Sequence, residues 1–481
     1  MLRIRFHIFL DISLLILQNK GKVYVNIERF YVCKRGKLTM VKNTIRPNHM
    51  HVYWHDYTGG SKDLPLLEAG LTEKSILVGR IGLMLLSCGT GAWRVRSAMN
   101  SVAGQLGLTC TITVGLMSLD YTSYDGKKSN SQSLSLGNTG VNTSKLNQLE
   151  RFVKNFSNEG VHMTLEEVHS RLDEIDKIQG LYTPAMLGLA SALACGAFTF
   201  LLGGGLVEMI CAFIGAGVGN YLRCKLIQKR FTLFLCISSS VALACLAYVA
   251  SLRAAEMLFS FPVSHEAGYI CAMLFIIPGF PFITSGIDLA KLDMRSGLER
   301  LAYAVMIVAV ATATGWVMSL ILNLEPADFP ALGIPPVLLF VLRLIASFCG
   351  VFGFSIMFNS PVPLAATAAV IGAIANTLRL ELVDLTSCPA AGAAFIGALT
   401  AGLLASLFYR RLGYPRISVT VPSIVIMVPG MYLYRAVYNL GELSLSPSAS
   451  WLASALLIIM ALPLGLIFAR IITDKSFRHC N

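Results

Sequence analysis

The sequence predicts an all-α polytopic membrane protein: ten transmembrane helices arranged as two inverted five-helix repeats, preceded by a small cytosolic α/β domain. Three observations carry this. Of 481 residues, 55% are hydrophobic and only 14% charged, well below the charged share of about a quarter in soluble domains. Apolar runs of about twenty residues, the length a helix needs to cross a bilayer, recur between Leu181 and Arg470. Two of these runs, Gly268–Lys291 and Ile417–Val437, are interrupted by Pro278-Gly279 and Pro429-Gly430. Proline removes a backbone donor and clashes with the preceding turn, so the helix must break or kink there.

Residues 1–63 read as an N-terminal extension of uncertain status. The run Ile8–Leu17 contains Asp11 and lacks a small-residue cleavage site, so it is a poor signal peptide and too short to span. His49, His51, His55 and Asp56 cluster, but nothing closes a tetrahedral metal set. Residues 64–180 carry the pattern of the α/β domain. Val95, Met99, Val102 and Leu106 mark a helical face, and Cys110, Ile112, Val114 and Leu116 alternate with polar residues as in a strand. Asp125-Gly126 supplies a hairpin turn before Leu134 and Leu136. Two amphipathic helices follow, the second opened by a Thr164/Glu167 capping box. The acids Glu166, Glu167, Asp173, Glu174 and Asp176 read as its solvated face.

Ten spans then fit, about 183–202, 205–222, 231–251, 268–288, 299–322, 333–355, 361–379, 390–408, 417–437 and 449–470. The first five form one repeat (181–324), the last five another (331–472), and 473–481 is a tail. With a cytosolic N-terminus, the inner side holds Arg223, Lys225, Lys229 and Arg230; Lys291, Arg295 and Arg300; Arg410, Arg411 and Arg416; and the tail Arg470, Lys475 and Arg478. The outer loops hold Glu325, Asp328 and Glu442. This asymmetry obeys the positive-inside rule and places both termini in the cytosol. The net charge of +12 therefore points to topology and not to nucleic acid. Twelve cysteines without CxxC spacing suggest no disulfide framework.

The halves share a signature: Phe213–Arg223 reads FIGAGVGNYLR and Val370–Arg379 reads VIGAIANTLR. Arg223 precedes Pro278 by 55 residues and Arg379 precedes Pro429 by 50. Five spans per half is an odd number, so the second half lies upside down relative to the first, as in many alternating-access carriers. Pro278, Gly279, Pro429 and Gly430 are then expected to shape a central site. Charged groups inside spans face a cavity or a partner. Arg343 is either a fork for substrate carboxylates or half of an ion pair; Arg379 either pairs with Glu381 and Asp384 or guards the outer mouth. Asn220 and Asn376, equivalent in the repeat, either bind substrate or bridge helices. Glu208 and Asp288 are the candidates for carrying a coupling proton. Gly203–Gly205 lacks the Lys-Ser/Thr of a phosphate loop and reads as an outer turn. No Ser-His-Asp set, GxSxG or HExxH occurs, so no catalytic residue, cofactor or metal is expected, and the chain does not read as an enzyme.

These residues resemble the threonine/serine exporter family, whose relatives include two-subunit succinate exporters. The likeness runs from about residue 64 to 440. It lies in Gly91–Val95, Gly140-Val141-Asn142, Pro278–Pro281, Asp288, Gly297-Leu298 with Arg300, Phe358–Pro361, Gly372–Arg379, and Val428–Gly430 with Tyr434. Many single-chain members carry an acid where this chain has Arg96, so no role passes to that position. The resemblance implies proton-coupled export of small hydrophilic metabolites, threonine and serine first, across the inner (plasma) membrane. Its partners would be that substrate, protons and lipid, with a homo-oligomer left open. Dicarboxylate export is the alternative within the family, and a membrane-anchored enzyme or sensor using residues 64–180 the alternative outside it.

Overall fold

The computed structural model describes residues 29–34, 37–42, 54–55, 63–178, 180–258, 265–330 and 332–478. The chain divides into two units, Met1–Val52 and Tyr53–Asn481. In the first, β1 (Arg29–Lys34) and β2 (Lys37–Lys42) form an antiparallel pair with Lys34 opposite Lys37. The expectations for Ile8–Leu17 and for His49, His51 and Asp56 fall outside the described residues.

The second unit starts with α1 (Leu71–Ser87) and α2 (Ala92–Gln105). β3 (Thr109–Val114), β4 (Ser118–Tyr124) and β5 (Ser129–Ser135) follow as an antiparallel sheet in that order. Alternation sets the register: Leu119, Tyr121 and Ser123 of β4 turn inward, and the Tyr121 hydroxyl donates to the Ser75 carbonyl of α1 at 2.8 Å. α3 (Thr143–Asn155) is capped by Asn142, whose side chain accepts from the Lys145 amide. α4 (Leu165–Asp176) carries the reciprocal Thr164/Glu167 capping box.

The remaining helices are α5 (Pro184–Leu201), α6 (Leu206–Gln228), α7 (Leu233–Leu258), α8 (Tyr269–Met273), α9 (Gly279–Ala290), α10 (Met294–Leu322), α11 (Pro336–Met357), α12 (Val362–Leu385), α13 (Ala390–Leu412), α14 (Arg416–Val425), α15 (Gly430–Gly441) and α16 (Leu445–Thr473). Among the described residues, eight helices are long and apolar enough to cross a membrane. Two further pairs, Glu266–Ile276 with Gly279–Ala290 and Arg416–Val425 with Gly430–Gly441, are bent by 55° and 50°. Counting each pair once gives ten spans, and the protein is a multi-pass membrane protein.

The order of elements is the same twice: two adjacent helices, a third, a bent pair, then a long closing helix. α5 packs on α6 and α6 on α7, as α11 packs on α12 and α12 on α13. α5 and α11 also meet each other, and a Cβ at Gly353 would collide with the Ala190 carbonyl. Small residues thus let the two helices approach backbone to backbone, which is how helices associate where lipid removes the hydrophobic drive.

The sheet and α1–α4 dock on one end of the bundle. The Thr143 amide donates to the Phe358 carbonyl at 3.1 Å, and Asn359 Nδ2 donates to Asn142 Oδ1 at 2.8 Å. Asn359 Oδ1 in turn accepts the Leu181 amide at 2.6 Å.

Candidate functional site: two broken helices and the chambers at their ends

Pro278 and Pro429 adopt nearly one backbone conformation, φ/ψ of −82°/62° and −81°/58°. In each, the following glycine amide bonds back two residues at 2.8 Å, Gly279 to the Ile277 carbonyl and Gly430 to the Val428 carbonyl. Both are inverse γ-turns. The next helix begins at once, with Phe282 donating to Pro278 at 3.2 Å and Leu433 to Pro429 at 3.1 Å. The two turns pack against each other reciprocally. A Cβ at Gly279 would lie 3.1 Å from Val425 and Val428, and one at Gly430 would lie 2.8 Å from Leu274. Backbone opened at this depth is covered by protein, as a membrane interior demands. Tyr269 of α8 and Tyr434 of α15 join the same two bent pairs through hydroxyls 2.7 Å apart, both fully buried.

The asparagines tie neighbouring helices. Asn220 Nδ2 donates to the Leu187 carbonyl of α5 at 2.9 Å, and Asn376 Nδ2 donates to Ser347 Oγ of α11 at 2.9 Å. Arg379 Nη1 donates to Asn376 Oδ1 at 3.3 Å. Glu381 and Asp384 turn instead to Arg343 of the adjacent helix, at 2.9 and 2.5 Å. The spacing explains this: positions two and five along from Arg379 lie off its helical face.

Glu208, 1% exposed, stands at the start of α6. Its Oε2 accepts the Gly205 amide at 3.0 Å and its Oε1 stands 2.7 Å from His265 Nδ1, just before α8. Asp288, fully buried at the end of α9, receives the Ala92 amide at 3.0 and 3.2 Å, Ser296 Oγ at 2.9 Å, and an ion pair with Arg300 at 3.3 Å. Arg300 spends its other donors on the carbonyls of Gly89 and Thr90. Gly91 makes this approach feasible, since a Cβ there would sit 2.6 Å from Asp288 Oδ1. Next to it Arg96 pairs with Asp293 at 2.8 Å, and burial pushes the Asp293 carboxyl above its ordinary range, with Arg96 pulling it back.

A cavity lies toward one end of the bundle and a far smaller crevice toward the other. Near the docked α2, a narrow space is walled by Arg94, Asp288, Arg416, Thr420 and Arg470. At the far end a cavity of about 500 Å³ lies between the tip of α5, linker residues 328–330 and 332–334, α11, α15 and α16. Its walls include Phe200, Phe329, Tyr432 and Trp451, and its charged lining is Asp328, Arg343 and Arg435. Sequence reading placed Arg343 among the site residues but missed His265, Trp451 and the Tyr269–Tyr434 link. Their partners lie too far along the chain for spacing to reveal. No group of His, Cys, Asp and Glu suited to a metal occurs among the described residues.

Residues 76–323, just over half the chain, match the family model described as "Putative threonine/serine exporter", and residues 343–472 match a second, "Threonine/Serine exporter, ThrE". The chain belongs to the threonine/serine exporter family. The two matches divide in the stretch between the end of α10 and the middle of α11. The threonine/serine exporter of Corynebacterium glutamicum is 25% identical over 397 residues, 78% of either chain. The "Probable succinate transporter subunit YjjP" of Escherichia coli is 27% identical over 169 residues, 33% of this chain and 63% of that one. "Pheromone-regulated membrane protein 10" of Debaryomyces hansenii is 23% identical over 323 residues, 60% of this chain. The aligned part is 29% of that fungal protein's length. No solved structure matches the chain.

Proposed function

We propose that this protein is a secondary active exporter of small hydrophilic metabolites, threonine and serine first, working by alternating access. The observation that carries the reading is the pair of matched Pro-Gly breaks seated against each other, with a cavity beyond one end and a narrow crevice beyond the other, each bearing charged side chains. Two halves of the same element order, 181–324 and 331–472, would be inverted copies that rock about this crossing. Residues 64–180 would be a cytosolic domain, with both termini on that side of the inner (plasma) membrane. Pro278, Gly279, Pro429 and Gly430 would form the hinge and central backbone surface. Asn220, Asn376 and Arg379 would hold the helices flanking it, with Arg343 on the outer approach.

Proton coupling would run through Glu208, whose buried carboxylate joins α6 to the entry of the first bent pair through His265. Asp288 would act as the joint between the soluble domain and that bent pair, since three groups already engage its carboxylate. The likeness to the probable succinate transporter subunit of Escherichia coli keeps dicarboxylate export as the second reading.

The test loads vesicles carrying the full chain with labelled threonine, serine or succinate and follows efflux with and without a pH gradient. Faster efflux of threonine or serine with inward proton flow is expected. Gradient-independent flux would identify a passive channel, and efflux of succinate alone would transfer the assignment to the dicarboxylate class.

A further inference from the structure

The cavity at the end of the bundle away from the soluble domain holds an asymmetric ion pair. Arg435 projects from α15 with its side chain 10% exposed, while its partner Asp328, on the linker 2.7 Å away, is 90% exposed. The cation is fixed and the anion is loosely held. Arg435 Nη2 also donates to the Ala327 carbonyl at 3.1 Å, and its guanidinium lies 4.9 Å from the Trp451 ring. Its Nε is buried with no hydrogen-bond partner. Both polar contacts use Nη2, which leaves Nη1 to donate to a carboxylate arriving from the cavity.

We infer that Arg435, Tyr432 and Trp451 form a release site for one substrate carboxylate, and that Asp328 is a tethered competitor that returns to Arg435 as substrate leaves. A carboxylate on a short linker acts at millimolar effective concentration without any new contact. It therefore weakens outward-side affinity, which is what an exporter needs to unload.

The second arginine of the cavity bears on ligand class. Arg343 is already held by both Glu381 and Asp384, so its charge is spent within the protein. A second ligand carboxylate would find no unpaired cation there to offset the loss of its water. The arrangement selects a zwitterionic amino acid over a dicarboxylate. This rests on the exporter reading and on the far end facing outward.

The experiment measures equilibrium binding of labelled threonine to the purified full chain in lipid nanodiscs, with unlabelled serine and succinate as competitors. Asp328→Asn is expected to bind threonine about tenfold more tightly than wild type. Arg435→Gln in that background is expected to abolish the gain, while Arg435→Lys keeps the charge but recovers only part of it. Monodisperse elution of each variant separates loss of binding from loss of fold. Serine should compete and succinate should not. Unchanged affinity in Asp328→Asn, or displacement by succinate as good as by serine, overturns the inference. Vesicle efflux from wild type is read in parallel: export with no effect of these variants on binding sinks the release site alone, and absence of export sinks the wider reading.

Discussion

Leu292 and Leu443 both occupy the left-handed region, at φ 61° and 56°, although neither is glycine. Each ends a bent pair, and the next residue bonds back to the helix it leaves: Asp293 to the Asp288 carbonyl at 2.9 Å, Ser444 to the Asn439 carbonyl at 2.8 Å. Left-handed backbone costs an ordinary L-residue about 1–2 kcal/mol. The same strained turn thus recurs after the same break. Both side chains are largely exposed, so glycine forfeits little burial at either position. Leu292→Gly and Leu443→Gly are each expected to stabilise the protein by up to about 1 kcal/mol. Thermal unfolding in detergent checks this; opposite signs at the two positions would break the equivalence.

Pro278→Ala and Pro429→Ala restore a backbone donor at the turn and permit continuous helix. Because the two turns share angles and hydrogen bonds, the substitutions are expected to cost similar amounts of transport, about tenfold or more, while insertion is kept. Gly430→Val is expected to be worse than Gly279→Ala. Its bulk would enter the space of Leu274 and Ile277, and overpacking costs about 1–3 kcal/mol. Initial efflux rates normalised to inserted protein decide it. Wild-type rates in both proline variants would remove the breaks from the mechanism.

The spans were legible because an apolar run of that length has no other stable use, and the breaks because Pro-Gly cannot continue a helix. What was not legible has a common cause. α1 is buried on nearly every face, so Leu71–Ser87 shows no clear helical period, and it went unread. The β1–β2 hairpin was missed among residues that offered no firm pattern. The ionic partnerships are long-range: Arg343 finds acids 38 and 41 residues away, His265 finds Glu208 across 57, and Ala92 meets Asp288 across 196. Spacing along one element cannot reveal contacts that packing creates between elements.

Asp288 can be separated into joint or proton carrier by two substitutions. Asp288→Ala strands Arg300 in a buried position, and breaking a buried pair costs about 3–5 kcal/mol. Poor yield and a lowered unfolding temperature are expected. Asp288→Asn keeps an acceptor for the Ala92 amide and Ser296, so the fold should survive with a smaller loss. If Asp288 serves as a joint, efflux by the Asn variant keeps its dependence on the pH gradient. Loss of that dependence alone would make it the carrier.

Glu208→Gln preserves the shape that accepts the Gly205 amide but cannot take up a proton at Oε2 or exchange one with His265. Its neighbours on other elements include Tyr248 of α7, which donates to the His265 carbonyl, and Glu266, paired with Arg253. Efflux by Glu208→Gln is expected to continue down a substrate gradient yet ignore the pH gradient. His265→Asn should weaken the response in the same direction. Full gradient response in Glu208→Gln would place coupling elsewhere.

The part built from α1–α4 carries a pH dependence of its own. His169 of α4 is buried against Arg80 of α1, with the Arg80 guanidinium 2.9 Å from its Nδ1 and also bonded to its carbonyl. Burial first, then the Arg80 charge and the nearby His55, push its imidazole down from 6.5 to about 3; Asp173, paired with Arg80, opposes them. Glu166 and Asp173 hold His55 at 2.8 and 2.9 Å on the same surface. The unfolded chain therefore binds a proton at about pH 6.5 that the folded domain refuses. Stability is full above that pH and falls as pH drops from 6.5 toward 3, by at most about 1.4 kcal/mol per unit. Burial pushes the Asp173 carboxyl up, but its bonds to His55 and Arg80 outweigh this and hold it low, which adds a loss of the same sign at the acid end. His169→Asn keeps an acceptor for Arg80 and cannot titrate, so it should flatten the slope between pH 6.5 and 4. Hydrogen exchange of α1 and α4 in the full-length protein reads this locally, and an unchanged slope in the variant would assign the acid sensitivity to other groups.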